Sequence, residues 1–183
     1  IEQIEYMSNL LELKDLKVDE LMTHRNDISY IDLSDPIEKI INYLKVNNFT
    51  RVPVIKKNFE NVLGILDIRD LLKSEITLNE LNQDRIVDHL NDPWFIPENK
   101  MAIKQLIDFK SKREHMALIV DEYGAVQGLI SFEDIIEEII GEVFDETDVE
   151  NSYLEKLDSN NYLFNGNTSI RELNRVLKID LPD

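Results

Sequence analysis

Apolar residues near the start of the chain fall at Ile37, Ile40, Ile41 and Leu44, the i, i+3, i+4, i+7 spacing of a helix with one buried face. The spacing predicts a helix over Pro36–Val46, with Asp35 as its N-cap and Pro36 in its first turn. A second helical pattern covers Met101–Lys110. Each is followed by a short apolar, β-branched run of strand length, "RVPVI" (51–55) and "MALIV" (116–120). "DEYG" (121–124) then reads as a hairpin turn, with Gly124 free to take a positive φ, and "AVQGLI" as the returning strand. In the first half "NFENV" (58–62) takes the part of the turn. Helices follow from "DIRDLLKSE" and "SFEDIIEEIIGEV". The second carries a stripe of Ile135, Ile136, Ile139, Ile140 and Val143, read as core or subunit contact. The opening "IEQIEYMSNLLELKDL" is apolar at helical spacing and reads as a lead-in helix.

The pattern is written twice. "GILDIRDLL" (64–72) and "GLISFEDII" (128–136) align without a gap at an offset of 64, as do "TRVPVI" and "EHMALI". Upstream, "VDELM" (18–22) matches "VDHLN" (87–91) at an offset of 69, so a loop in the first copy is longer. Each copy is a lead-in, helix, strand, strand, helix. One copy alone buries little core, and two packed together bury more. The join lies about Asn82–Asp84, and "DETDVEN" (145–151) reads as a polar linker.

Ser131 stands where strand becomes helix, three residues before Asp134. The spacing fits a capping box, each side chain closing a free backbone N–H, which needs no ligand. The same geometry suits a ligand: unpaired N–H groups and a hydroxyl for a phosphate, and a carboxylate one turn in for a vicinal diol. The two readings are compatible.

Composition narrows the field. The chain has 183 residues, 43% hydrophobic and 31% charged, with a net charge of −17. Such an acidic surface argues against nucleic acid and anionic membranes. A nucleotide needs local arginine or a metal ion. There is no cysteine, so thiolate and disulfide chemistry are excluded, and no apolar run is long enough to span a bilayer. The start at Ile1 and the end at "LPD" read as an excised part of something longer. Residues 121–150 hold eleven acids and no Lys or Arg, a solvated face and linker by default, or a divalent-cation site without EF-hand spacing. His24, His89 and His115 lack metal-ligand spacing, and Trp94 reads as partly buried core or an aromatic lip on a cleft. No nucleophile, acid–base pair or phosphate-binding Gly loop stands out, so catalysis has no visible carrier.

The double phrase, with "RVPV" in one copy and "HMALIVDEYG…GLISFEDIIEEIIGEV" in the other, resembles a tandem pair of CBS (cystathionine-β-synthase) domains. "DEYGAVQGLISFEDIIEEIIGEVFDE" and the opening "VDELMTHRNDI" are similar to the CorC/HlyC, haemolysin-like group, related to the CNNM magnesium transport mediators. "YLEKLDSNNYLFNGNTSIRELNRVLKIDLPD" (153–183) resembles the start of the transporter-associated CorC/HlyC domain. The resemblance implies an α+β fold: two CBS (β)αββα repeats packed as a pseudo-twofold pair, with a helical N-terminal lead-in and a truncated C-terminal domain. It divides the chain into a lead-in at 1–16, a first CBS domain at 17–80, a second at 81–146, and linker plus tail domain at 147–183.

It further implies a regulatory module, not an enzyme, that binds ATP or AMP between the copies. Mg²⁺ is left as an optional bridge between phosphates, and flavin is given little place in so short a tail. Carried over by residue, Asp134 would hold the ribose hydroxyls and Ser131 would meet the α-phosphate or ribose side. Leu129 would line the adenine pocket and Thr23 would border the nucleotide. Arg51 would reach the phosphates, with Arg25 a second candidate. A homodimer, a membrane domain of the same full-length chain engaged in magnesium and cobalt efflux, and a place at the cytoplasmic face of the cell membrane follow from the same resemblance. The alternative is a ligand-free structural dimerisation module; an enzyme or toxin-like role stands third.

Two departures from the family pattern matter. His24 replaces the Pro of M-T-P-R, which leaves the loop less rigid. Asp67 stands where the second copy has Ser131, and is a good helix cap but a poor neighbour for a phosphate. The site built on Asp67 and Asp70 is therefore expected to be weak or empty of nucleotide.

Overall fold

A computed structural model describes residues 2–73, 80–140, 154–156 and 162–164. Its elements run α1 (Glu2–Glu12), β1 (Thr23–His24), β2 (Ile31–Asp32), α2 (Ile37–Val46), β3 (Arg51–Lys56), β4 (Asn58–Asp67), α3 (Ile68–Lys73), α4 (Gln83–Asp88), β5 (Leu90–Asn91), β6 (Phe95–Pro97), α5 (Ala102–Lys112), β7 (Met116–Val120), β8 (Val126–Ser131) and α6 (Phe132–Ile140). Short 3-10 turns occupy Val18–Glu20 and Arg25–Asp27. These belong to one compact unit, Ile1–Gly141; residues 142–183 form a second, in which β9 (Leu154–Lys156) pairs antiparallel with β10 (Tyr162–Phe164). The acidic run beyond 140, Val143, the linker and most of the tail lie outside the described residues.

Two four-stranded sheets carry the repeat, in orders β2-β3-β4-β5 and β1-β8-β7-β6. In each, an antiparallel hairpin is flanked by one parallel strand and one antiparallel strand. The antiparallel flank comes from the other copy's lead-in: β1, upstream of the first copy, pairs with β8, and β5, upstream of the second, pairs with β4. Glycine makes the crossing possible. A Cβ at Gly128 would sit 2.6 Å from the Thr23 carbonyl oxygen, and one at Gly64 would sit 2.7 Å from that of Asn91. The glycines that open the repeated phrase are thus fixed by close backbone approach.

The cores follow the same exchange. One gathers Ile31, Ile40, Val52, Val54, Leu66 and Leu71 with Leu81 and Ile86. The other gathers Ile96, Phe109, Ala117, Ile119, Ile130 and Ile135 with Leu13 and Val18. The lead-in is therefore packed, not a free tether: Leu13 is fully buried and the Asn9 side chain donates to the Ile139 carbonyl at 3.1 Å. A third cluster joins the two sheets, with Ile28, Ile55, Phe59 and Ile65 against Leu118, Val126 and Leu129. Burying each such side chain is worth about 1.5–3 kcal/mol.

Local chemistry corrects several expectations. Asp35 does not cap α2. Pro36 is the capping position, without a side-chain bond, and Asp35 instead pairs with Lys39 at 2.8 Å. "NFENV" is strand, not turn. The reversal is made at Lys57 with φ 74, where Asp32 accepts from the Lys57 N–H at 3.0 Å and from the Ser34 N–H at 2.8 Å. A distant aspartate holds the turn there, which sequence-local rules do not see. "DEYG" does turn as expected: Gly124 has φ 83, and Asp121 accepts from the Tyr123 and Ala125 N–H groups at 2.9 Å. Asn82, at the expected join, starts α4, its side chain accepting from the Arg85 N–H at 2.9 Å. Trp94 packs edge-on to Phe109 at 5.5 Å with the Lys112 ammonium 4.3 Å over its ring, as part of the core.

Candidate functional site

The site is built where β8 runs into α6. Ser131 is the last strand residue and its backbone N–H donates to Asp134 Oδ2 at 2.7 Å. The Asp134 N–H donates back to Ser131 Oγ at 3.1 Å, closing a reciprocal capping box. Burial pushes the Asp134 carboxyl above its ordinary value, and the Ser131 hydrogen bonds offset this only in part. A half-buried carboxylate with acceptor capacity left over can take hydroxyl donors.

Two other expected residues join it. Thr23 lies directly opposite Leu129 in the β1–β8 pairing, two residues before Ser131. Thr23 is exposed, whereas Leu129 is buried and helps join the sheets. His24 follows with φ −64, the angle a proline ring imposes, so the backbone keeps its path despite the replaced proline. Thr23, Leu129, Ser131 and Asp134 are thus brought together by one sheet edge and one helix start.

The two arginines are held elsewhere. Arg25 is half-buried and lays its guanidinium 5.7 Å from the centroid of Phe59, a residue of the first copy. Arg51 faces Asp67 across the β3–β4 pair and its Nε lies 3.2 Å from Asp67 Oδ2. Sequence reasoning missed Arg69. Its Nη2 lies 3.1 Å from the same Oδ2, while its backbone N–H and Nε donate to Oδ1 at 3.0 and 3.3 Å. Burial raises the Asp67 carboxyl, but Arg69 and Arg51 outweigh it and hold the group below the ordinary carboxylate value. Two guanidiniums on one oxygen leave a single surplus positive charge. Arg69 also feels Glu133, the neighbour of Asp134, which helps raise its own pKa after Asp67 does. The signal for Arg69 was present: it is the offset-64 equivalent of Glu133.

The second junction has no such cations. The chain from 114 to 140 contains no Lys or Arg. His115, the equivalent of Arg51, sits 3.3 Å from Glu133 through Nδ1 and edge-on to Phe132. Asp70, the equivalent of Asp134, is exposed and pairs with Lys73 at 2.9 Å. Among the described residues no group of three or more His, Asp or Glu could hold a metal ion.

Two sheets exchange their lead-in strands and each carries a matched helix start, so the architecture is a tandem pair of like α+β repeats. The CBS domain family matches residues 18–76 and 89–141, and the chain belongs to that family. It is 31% identical over 98% of its length to the magnesium and cobalt efflux protein CorC of Pasteurella multocida, of which it spans 59%. It is 32% identical over 93% of its length to haemolysin C of Brachyspira hyodysenteriae, of which it spans 62%. The CBS domain of a bacterial CNNM/CorC family Mg²⁺ transporter, solved in complex with ATP, is 31% identical, covers 78% of this chain and all of its own, and superposes with a TM-score of 0.69.

Proposed function

We propose that this CBS pair is a regulatory module that binds an adenine nucleotide, ATP or AMP, at the Ser131–Asp134 junction. The observation that carries the reading is the convergence of Thr23, Leu129, Ser131 and Asp134 at one helix start. Asp134 accepts the ribose hydroxyls, Ser131 and the first turn of α6 meet the ribose or α-phosphate, and Leu129 with Thr23 borders the base. The surplus charge of the Arg51–Asp67–Arg69 group supplies the field that the phosphates need, while Arg25, held over Phe59, remains a second candidate. Any Mg²⁺ is carried on the phosphates, because the described side chains offer no cage of their own.

The ATP complex of the CNNM/CorC relative supports the ligand class, and the CorC relative supports a role beside a magnesium- and cobalt-exporting membrane domain of the full-length chain. Nucleotide favours whichever geometry of the pair binds it more tightly, and α1, docked on α6, passes that geometry to the preceding segment. The module works as a homodimer at the cytoplasmic face of the membrane and carries no catalysis of its own. Among the described residues no helix is long and apolar enough to cross a bilayer.

Titration calorimetry with ATP, ADP and AMP, with and without Mg²⁺, tests this beside Asp134→Ala. Saturable binding that the variant loses is expected. One observation favours a second reading: the Ser131–Asp134 box satisfies itself without a ligand. A purely structural dimerisation module predicts no heat with any nucleotide and only a less stable variant.

A further inference from the structure

The two junctions carry the same four-place arrangement. In the second, Thr23 lies opposite Leu129, followed by Ser131 and Asp134. In the first, Asn91 lies opposite Ile65, followed by Asp67 and Asp70. Only one of these places changes from neutral to charged: a serine hydroxyl becomes a carboxylate. That carboxylate is buried and fully engaged, Arg51 and Arg69 both meeting Oδ2 while Arg69 donates twice more to Oδ1. We infer that Asp67 is a built-in counter-anion that occupies the guanidinium pair a phosphate would use, and so confines nucleotide to the second junction.

The inference deepens the nucleotide reading proposed above and rests on it for the ligand class. A phosphate entering the first junction must displace a carboxylate from charge-assisted hydrogen bonds, among the strongest kind in proteins. If it does not displace it, two anions share one helix start. Asp67 stays ionised because its arginines hold it below the ordinary value, so protonation near neutral pH offers no relief. At the second junction the equivalent oxygen is neutral, and no ion pair has to be displaced. Asp70 keeps the diol-accepting carboxylate in place one turn into α3, its Lys73 pair being exposed.

Substituting Asp67→Ser tests the lock with the residue the other repeat already uses. Serine retains a cap oxygen for α3 and releases both arginines. ATP is titrated into the wild type, Asp134→Ala, Asp67→Ser and the double variant Asp67→Ser/Asp134→Ala, each checked for cooperative melting. The wild type is expected to bind one ATP per chain and Asp134→Ala none. Asp67→Ser should bind two, and the double variant one. Adding Asp70→Ala to the double variant should abolish that site. Asp67→Asn, of nearly the same shape but neutral, repeats the experiment should serine loosen the helix start. Folded double variants of both kinds that bind no ATP would overturn the inference. So would an Asp67→Ser chain that still binds only one. A wild type that binds nothing defeats the earlier nucleotide reading instead, and the double variant still reports on the lock.

Discussion

At the first strand-to-helix junction a buried carboxylate stands between two arginines; at the second, a serine and an aspartate close on each other and the surrounding chain has neither Lys nor Arg. The backbone around them is the same, down to a glycine three residues before each junction residue. The difference teaches that a duplicated fold need not duplicate its charge. Sheet and helix start are shared, and on the proposed reading the charge at one position decides which junction an anion enters. It also divides labour. On the proposed reading the second junction offers a partly buried carboxylate and a hydroxyl to the sugar, while the first supplies cations that the second lacks.

The comparison assumes that each lead-in belongs to the opposite copy's core, and the largest effects test this. Leu13→Ala and Ile86→Ala each open a cavity in a core that is not their sequence neighbour's, and should each cost about 2–5 kcal/mol in denaturant unfolding. If the lead-ins were loose tethers, neither would matter. Next come the crossings themselves. Gly128→Ala and Gly64→Ala push a methyl group against the Thr23 and Asn91 carbonyls, and about 1–3 kcal/mol of destabilisation is expected. A variant that melts like the wild type would show that the lead-in strand can move aside, and would undo the claim that glycine fixes the crossing.

Much of this was legible beforehand, for physical reasons. The offset-64 phrase is legible because each copy needs the same glycine for the crossing and a polar residue, Asp67 or Ser131, for the helix start. Long amphipathic stretches such as Ile37–Val46 announce themselves through their period. So did the Ser131–Asp134 box, since a capping box is local in sequence. What was hidden is non-local. Two-residue strands such as Thr23–His24 have no periodicity to read, so their exchange between sheets left no trace. The turn at Lys57 depends on Asp32, twenty-five residues away, and could not be placed from its own neighbourhood. Arg51 was recognised as a cation but its pairing with Asp67 across the hairpin was not, because register decides it. Arg69 escaped notice because its importance comes from sharing that one oxygen.

A smaller effect separates stability from binding. Asp134→Ala removes the acceptor for the Ser131 N–H and should cost about 0.5–2 kcal/mol, the usual range for a lost cap. The same variant should lose nucleotide heat altogether. Asp134→Asn keeps an acceptor oxygen and should recover most of the stability without recovering binding, because one amide oxygen replaces a carboxylate able to take two hydroxyl donors. Calorimetry and thermal melts on the same samples would distinguish these. Binding by the asparagine variant as tight as in the wild type would mean that the carboxylate charge is not what grips the ligand.

The smallest effect is the one of opposite sign. Both aspartates start from an ordinary value of 3.8, Asp134 moving up and Asp67 moving down on folding. For Asp134 the folded state binds its proton more tightly than the unfolded chain, so its contribution to stability falls as pH rises from 3.8 to the raised folded value. For Asp67 the folded state binds its proton less tightly. Its contribution is present above 3.8 and is lost as pH falls through the depressed folded value. Subtracting the wild-type unfolding free energy from that of Asp134→Asn should therefore give a difference that grows more favourable to the variant as pH rises through the upper window. The same subtraction for Asp67→Asn should grow less favourable to the variant as pH rises through the lower one. Nucleotide affinity should meanwhile weaken as acid protonates Asp134, since a neutral carboxyl loses acceptor strength for the diol. Two difference curves with the same slope would mean that the junctions are electrostatically alike, and the contrast between a closed and an open receptor would have no charge to rest on.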